Sequence, residues 1–189
     1  MFPYIIWLLF FIPTTVCGQD LKDSDKLGMA IEYFQSAKYH EALLILNKLD
    51  NKYKLNPRFK AYMGVCYFYE WDYKNACRYL DNIMDQLNVL APQERTVYFF
   101  CSAESHFFLG EYNQAIPIYE KMLNVCSDNE KADAFYRLGF CYMYRNEWEN
   151  AYDYFISALS YYKHFGCANN KRQRLVQIEN MINGCKEHF

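Results

Sequence analysis

Small and large side chains recur along the chain in a fixed order that is repeated four times. Four segments place an aromatic residue three positions before an alanine. The alanines are Ala42, then Ala76 after 34 residues, Ala115 after a further 39 and Ala151 after a further 36, and the aromatics are Tyr39, Tyr73, Tyr112 and Trp148. A period near 34 residues predicts a stack of similar units rather than one irregular core.

The same register extends to either side of each alanine. A small residue lies twelve positions earlier, a ring follows that small residue by three, and a large residue follows the alanine by four. The small residues are Ala30, Gly64, Ala103 and Gly139, the rings Tyr33, Tyr67, His106 and Tyr142, and the large residues Leu46, Leu80, Tyr119 and Phe155. Spacings of three and four share a helical face, so each unit is predicted to be two closely packed antiparallel helices.

These positions resemble the tetratricopeptide repeat, a family with a period of about 34 residues and this small, aromatic and alanine signature. The resemblance covers about residues 23 to 163 and implies an all-α, right-handed solenoid of about four helix pairs. We expect the repeat domain at 19–165 and a C-terminal capping helix at 166–189, a stretch whose first residues, 166–170, are expected to form a turn. The apolar face of that helix is predicted to comprise Leu175, Ile178, Ile182 and Cys185.

Glycine and proline indicate where some of the helices begin and end. Gly110 marks the short turn within the third pair. The longer second and third periods are expected to place extra residues in loops, at 88–92 and 126–129, and Pro92 is expected to open the helix that follows.

The first 18 residues have the pattern of an export signal. The apolar run 4–12 is shorter than the roughly 20 residues that a spanning helix needs, and Val16 and Gly18 suit a signal peptidase that cuts before Gln19. We therefore expect 1–18 to be removed from a periplasmic or extracellular protein without a membrane span. Two alternatives stay open: a lipid anchor on Cys17, as in a lipoprotein, or an apolar N-terminal helix that belongs to the fold.

Composition and charge narrow the range of partners. The chain has 189 residues, enough for one domain, and its 7 glycines and 5 prolines favour long helices. Its 20 basic and 22 acidic residues leave a net charge of −2 and no basic stripe, so a nucleic-acid partner is not predicted. The one basic cluster, 171–174, is interpreted as a solvated helix start, with a docking patch as the alternative.

The resemblance also implies where a partner binds, because the first helix of each pair lines the concave side of such a solenoid. We expect an aromatic groove there that binds a protein or peptide. Its predicted members are Phe34, Phe68, Tyr69, Phe100, Glu104, Phe107, Phe108, Tyr136, Phe140 and Tyr144. The alternative is that several rings only pack between helices. Glu104, the one charge in the stripe, either receives a cation from the ligand or pairs within the protein.

No catalytic, metal-binding or cofactor-binding motif is found. The cysteines lack C-x-x-C spacing and the four histidines are scattered, so neither a zinc site nor an enzyme is predicted. Cysteines 66, 77, 101 and 141 are expected to be core residues and His106 to be packed, while a bridge between Cys126 and Cys167 is left open.

The leading hypothesis is an exported protein–protein interaction module. The alternatives are a structural assembly subunit of an envelope complex and a carrier of an apolar or sugar ligand.

Overall fold

The computed structural model describes residues 22–165 and 171–188. These residues form nine α-helices joined by short turns, and no strand occurs among them. The helices are α1 (Asp23–Gln35), α2 (Tyr39–Tyr53), α3 (Pro57–Tyr69), α4 (Tyr73–Asp81), α5 (Pro92–Phe108), α6 (Tyr112–Leu123), α7 (Asp128–Tyr144), α8 (Trp148–Phe165) and α9 (Lys171–Lys186). The export signal predicted at 1–18, and the turn predicted at 166–170 with its Cys167, lie outside the described residues.

Consecutive helices pack as pairs, and the pairs stack in chain order. α1 packs on α2, α3 on α4, α5 on α6 and α7 on α8, while α2, α4 and α6 each also contact the first helix of the next pair. α9 packs on α8 and buries Ile178, Ile182 and Cys185 on the face predicted for it. The structure thus confirms an all-α solenoid of four helix pairs with a C-terminal capping helix.

Each pair is closed by a turn of three residues in which the middle residue has a positive φ. These middle residues are Ala37, Trp71, Gly110 and Asn146, with φ of 56°, 60°, 74° and 60°. The backbone amide of the third turn residue donates a hydrogen bond to the backbone carbonyl of the tyrosine or histidine that follows the small repeat residue by three positions. In the first pair this is the 2.8 Å bond from Lys38 N to Tyr33 O. This Schellman closure recurs in all four pairs. The sequence indicated only the turn at Gly110, because alanine and tryptophan rarely adopt this conformation, and Asn146, a residue type that adopts it more readily, was overlooked.

The small residues of the repeat lie where the two helices of a pair touch. A Cβ added to Gly64 falls 2.5 Å from Cγ of Leu80, and one added to Gly139 falls 2.6 Å from the ring of Phe155. Leu80 and Phe155 are the large residues that follow the repeat alanines by four positions, and both are fully buried. The predicted close approach is therefore confirmed, and at these two glycines it depends on the absence of a side chain.

The residues added in the two longer repeat periods lie in extra helical turns as well as in loops. α5 and α7 have 17 residues each, against 13 in α1 and α3. α5 opens at Pro92 as predicted, after a 3-10 helix at Met84–Leu87. The loop predicted at 126–129 is wrong for its last two residues, which belong to α7. Ser127 and Glu130 form a capping box that satisfies the first amides and starts this helix early.

Aromatic stacking joins each helix pair to the next. The first residue of each second helix stacks on the last residue of the first helix in the following pair. The stacked couples are Tyr39–Tyr69, Tyr73–Phe108 and Tyr112–Tyr144, with ring centroids 4.2, 4.9 and 4.9 Å apart. Trp148 continues the series by stacking on His188, just after α9, at 3.7 Å. The aromatic three positions before each repeat alanine therefore makes a contact between units.

Cysteines in the described helices behave as small core residues. The four that were predicted to do so, Cys66, Cys77, Cys101 and Cys141, are buried, as is Cys126 in the turn before α7. A bridge from Cys126 to Cys167 stays a prediction, because Cys167 lies outside the described ranges. Within those ranges, none of the helices combines the length and the apolar character that crossing a bilayer requires.

Candidate functional site

A cavity of about 520 Å³ lies between α5, α7 and α9. Six of the ten predicted groove residues line it: Phe100, Glu104, Phe107, Tyr136, Phe140 and Tyr144. The other lining residues are Asp133, Arg137, Arg174 and Gln177. α5 and α7 are the first helices of the third and fourth pairs, and α9 follows the fourth pair, so the cavity lies on the face that first helices share.

Glu104 is paired within the protein, which is one of the two alternatives that its sequence position left open. Its carboxylate is almost fully buried and accepts hydrogen bonds from Tyr119 Oη at 2.5 Å and from Arg137 Nη2 at 2.7 Å. Nε of Arg137 lies 2.7 Å from Oε1 of Glu104, while Nη2 binds Oε2, so the ion pair is bidentate. Burial raises the pKa of Tyr119 well above its usual value, and the charge of Glu104 adds to that effect. The base of the cavity is therefore a satisfied polar network.

Arg137 links this polar network to the aromatic rings in the wall of the cavity. Its guanidinium lies 4.7 Å from the ring centroid of Phe107 and 5.8 Å from that of Phe108. A cation over an aromatic face is an attractive contact, so Arg137 also fixes these rings. Arg137 is not among the residues that the sequence pattern predicted for the groove. Its position could have indicated a place in the groove, because Arg137 lies three residues before Phe140 and so shares a helical face with it.

The opposite wall combines charges from α7 and α9. Arg174 lies 4.4 Å from the ring centroid of Tyr136, and Tyr162 donates a hydrogen bond to Asp133. Burial raises the pKa of Tyr162, and the hydrogen bond and charge of Asp133 raise it further. Arg174 belongs to the cluster interpreted as a solvated helix start, yet it lines the cavity. Its role depends on how α9 packs, which the local charge pattern does not reveal.

The four remaining predicted groove residues lie outside this cavity. Phe34 stacks on Tyr62 at 4.2 Å and Phe68 is buried, so both pack between helices. Tyr69 and Phe108 are half exposed and take part in the stacks between pairs. Tyr69 also lines a neighbouring cavity of about 230 Å³ that shares Phe100 and Asp133 with the larger one. The predicted stripe is thus packing at its N-terminal end and an open cavity at its C-terminal end.

Comparison with known families places the repeat in a named class. A family model described as tetratricopeptide repeat matches residues 133–164, which span most of α7 and α8. The small residue and alanine of that match recur in register in the three preceding pairs. Residues 133–164 therefore match a tetratricopeptide repeat, as the sequence pattern predicted. None of the curated proteins matches it as a sequence.

Solved structures share the fold of this chain at low sequence identity. MamA 41-end from Desulfovibrio magneticus RS-1 is 17% identical, with a TM-score of 0.60 over 88% of this chain and 94% of that one. A structure of MamA AMB-1 is 14% identical, with a TM-score of 0.65 over 90% of this chain and 96% of that one. At such identities the likeness establishes the fold alone.

Proposed function

We propose that this chain is an exported protein–protein interaction module that binds a segment of a partner protein in the cavity between α5, α7 and α9. A tetratricopeptide-repeat scaffold supports an interaction module of this kind, and such scaffolds are generally not enzymes. The observation that carries the proposal is the convergence of six predicted groove residues on one cavity. Export rests on the signal pattern of residues 1–18.

The size and lining of the cavity favour a peptide segment with an apolar or aromatic anchor. Its volume of about 520 Å³ lies within the range typical of ligand pockets. Three phenylalanine rings and the half-exposed Tyr144 supply apolar contacts. Gln177, Asp133 and Arg174 supply polar groups that suit the backbone of an extended segment.

The charges of the cavity do not favour a strongly charged partner. Arg137 is neutralised by Glu104, and Arg174 faces the same cavity as Asp133. Two cations and two anions leave the site with no net formal charge. Binding should therefore respond only weakly to ionic strength, in contrast to a site built for electrostatic steering.

Site-specific photo-crosslinking in the host organism tests the proposal. A photoreactive residue at Tyr144 lies in the cavity, and one at Leu44 lies on the outside of α2, with both wild-type side chains 52% exposed. We expect one protein to be captured from position 144 and not from position 44. Capture of the same proteins from both positions contradicts binding in the cavity.

The same crosslinking distinguishes the two rival functions. A structural assembly subunit is captured in fixed stoichiometry from outer positions such as Leu44. A carrier of an apolar or sugar ligand retains a small molecule in native mass spectrometry, and no protein is captured from Tyr144. Either result replaces the proposed interaction module.

A further inference from the structure

Three side chains of the kinds that bind transition metals converge between α4 and α5. Cys77 and Asp81 lie on α4 and His106 on α5, and their ligand atoms all lie within 4.8 Å of one another. Nε2 of His106 is 3.0 Å from Oδ2 of Asp81. Cys77 and His106 are buried while Asp81 is exposed, so solvent reaches the cluster on one side. Among the described residues this is the one such group.

The cluster is a local departure from the repeat. Cys77 and Asp81 are four residues apart and share a face of α4. At the preceding interface between pairs, the corresponding positions hold Leu43, Asn47 and Tyr67, and Tyr67 Oη donates to Asn47 Oδ1 at 3.1 Å. The following interface holds Ile116, Glu120 and Tyr142. Only the interface between the second and third pairs combines a thiol, a carboxylate and an imidazole at these positions.

Neighbouring side chains orient His106 and Asp81 by hydrogen bonds. Nδ1 of His106 lies 2.7 Å from a carboxylate oxygen of Glu111, which directs Nε2 toward Asp81. Ser102 Oγ donates to Oδ1 of Asp81 at 2.7 Å, which leaves Oδ2 toward the histidine. A carboxylate on the second nitrogen of a ligating histidine is the usual support of a zinc ligand. The cluster therefore has the surroundings of a metal site as well as its ligand types.

We propose that Cys77, Asp81 and His106 bind one Zn²⁺ ion, with water as the fourth ligand on the side of Asp81 that is open to solvent. Sulfur, carboxylate oxygen and imidazole nitrogen form a normal zinc ligand set. Tetrahedral bonds of 2.0–2.3 Å separate the atoms of one sulfur, one oxygen and one nitrogen ligand by about 3.3–3.6 Å. Ligand atoms that now lie up to 4.8 Å apart therefore move closer by about 1 Å, which side-chain rotation can supply. The ion ties the second helix pair to the third.

Zinc takes the place of protons in this cluster. Burial alone lowers the pKa of His106, but hydrogen bonds with Asp81, Cys77 and Glu111 outweigh it and raise that pKa to about 10. Binding forms the Zn–N and Zn–S bonds, and the protons of His106 Nε2 and of the Cys77 thiol pass to solvent. The metal-free protein is thus held together at this interface by hydrogen bonds, and the zinc-bound protein by coordination.

Titration of the metal-free full chain with Co²⁺, followed by displacement with Zn²⁺, tests the site. We expect one Co²⁺ per chain, with the intense visible bands of a tetrahedral ion and a near-ultraviolet sulfur-to-metal band. His106→Tyr installs the residue of the other three repeats and should preserve the fold while weakening binding more than about 100-fold. Cys77→Ser should abolish the sulfur band.

Cys126→Ser is the matched control, since Cys126 and Cys77 are 9% and 8% exposed. It should leave both the affinity and the sulfur band unchanged. Circular dichroism of His106→Tyr checks that loss of metal is not loss of fold. A wild-type chain without the sulfur band, or a band that survives in Cys77→Ser, overturns the site.

Discussion

The rings of Tyr39 and Tyr69 stack face to face, with centroids 4.2 Å apart and planes 3° from parallel. Tyr39 opens the second helix of the first pair, and Tyr69 ends the first helix of the second pair. The residue equivalent to Tyr69 is Gln35 in the first pair, Phe108 in the third and Tyr144 in the fourth, and these last two rings each stack on the pair before them. The aromatic at this position thus joins a pair to the one that precedes it.

Loss of one stack should weaken the join between neighbouring pairs. A double-mutant cycle on Tyr112→Leu and Tyr144→Leu should give a coupling of about 0.5–1.5 kcal/mol, because each leucine keeps apolar volume but loses the ring contact. Urea unfolding of the four proteins measures it. The control cycle pairs Tyr112 with the distant Tyr39 and should show no coupling. Equal coupling in both cycles rules out a local effect of stacking.

The glycine at the contact between α7 and α8 should not tolerate a methyl group. Gly139→Ala places Cβ against the ring of Phe155, and overpacking of this kind costs about 1–3 kcal/mol. Gly28→Ala is the control, since nothing lies within 4 Å of the added atom and alanine favours a helix by up to about 1 kcal/mol. Thermal unfolding should therefore shift down for the first variant and up for the second. Shifts of the same sign contradict the assigned contact.

The steric part of the fold was predictable because it follows from side-chain size at fixed spacing. Ala42, Gly64 and Leu80 occupy positions that are always small, always small and always large in the four repeats, so their order along the chain encodes the pairing of helices. The turn at Trp71 was not predictable, since tryptophan rarely adopts the left-handed conformation that Gly110 marks. Asn146 is a residue type that does adopt it, and this signal was overlooked. The packed helices on either side set the shape of both turns.

The candidate site was predictable only along single helices. Phe100, Phe107 and Phe140 were found because residues three or four apart share a face. Arg137 was missed, and Arg174 was noted only within the basic cluster 171–174, because their roles depend on contacts between helices. Arg137 contacts Glu104 on α5, and Arg174 on α9 contacts Tyr136 on α7. The repeat spacing predicts which residues share a face of one helix, but it does not predict which residue on another helix pairs with a charged side chain.

Removal of the cation beside Glu104 should destabilise the fold. Arg137→Met leaves a buried carboxylate with Tyr119 as its remaining hydrogen-bond donor, and breaking a buried ion pair costs about 3–5 kcal/mol. Chemical denaturation of the variant measures the loss. Arg145→Met, which breaks the more exposed pair with Glu147, should cost less than about 1 kcal/mol. Similar losses in the two variants contradict a buried role for Glu104.

The N-terminal pair should lose stability in acid through Asp23. Hydrogen bonds from Lys52 and then from Tyr53 lower the pKa of Asp23 from 3.8 to about 2. A depressed folded-state pKa stabilises the protein above the unfolded value, and this contribution is lost as the pH falls from 3.8 through about 2. The denaturation midpoint of wild type should fall across this window more than that of Asp23→Asn. Parallel curves for the two proteins contradict the assignment.

Binding in the cavity can be separated from packing by variants on opposite walls. Phe107 lies on α5 under Arg137, and Arg174 lies on α9 against Tyr136. If the captured partner fills the cavity, Phe107→Ala and Arg174→Ala should each weaken its binding by about 2 kcal/mol, as hot-spot residues do. Phe107→Ala should also lower stability because its ring packs on neighbouring aromatics, whereas Arg174→Ala should leave the fold nearly unchanged.

Arg174→Ala is therefore the decisive variant, because an affinity change in it cannot be ascribed to unfolding. Calorimetric titration of the partner into wild type, both variants and the outer control Leu44→Ala measures affinity, and thermal unfolding of each protein measures stability. Weaker binding in both cavity variants with an unchanged control supports the cavity. If Arg174→Ala binds normally and Phe107→Ala binds less only in proportion to its unfolded fraction, the rings of the stripe are packing residues and the partner binds on another face.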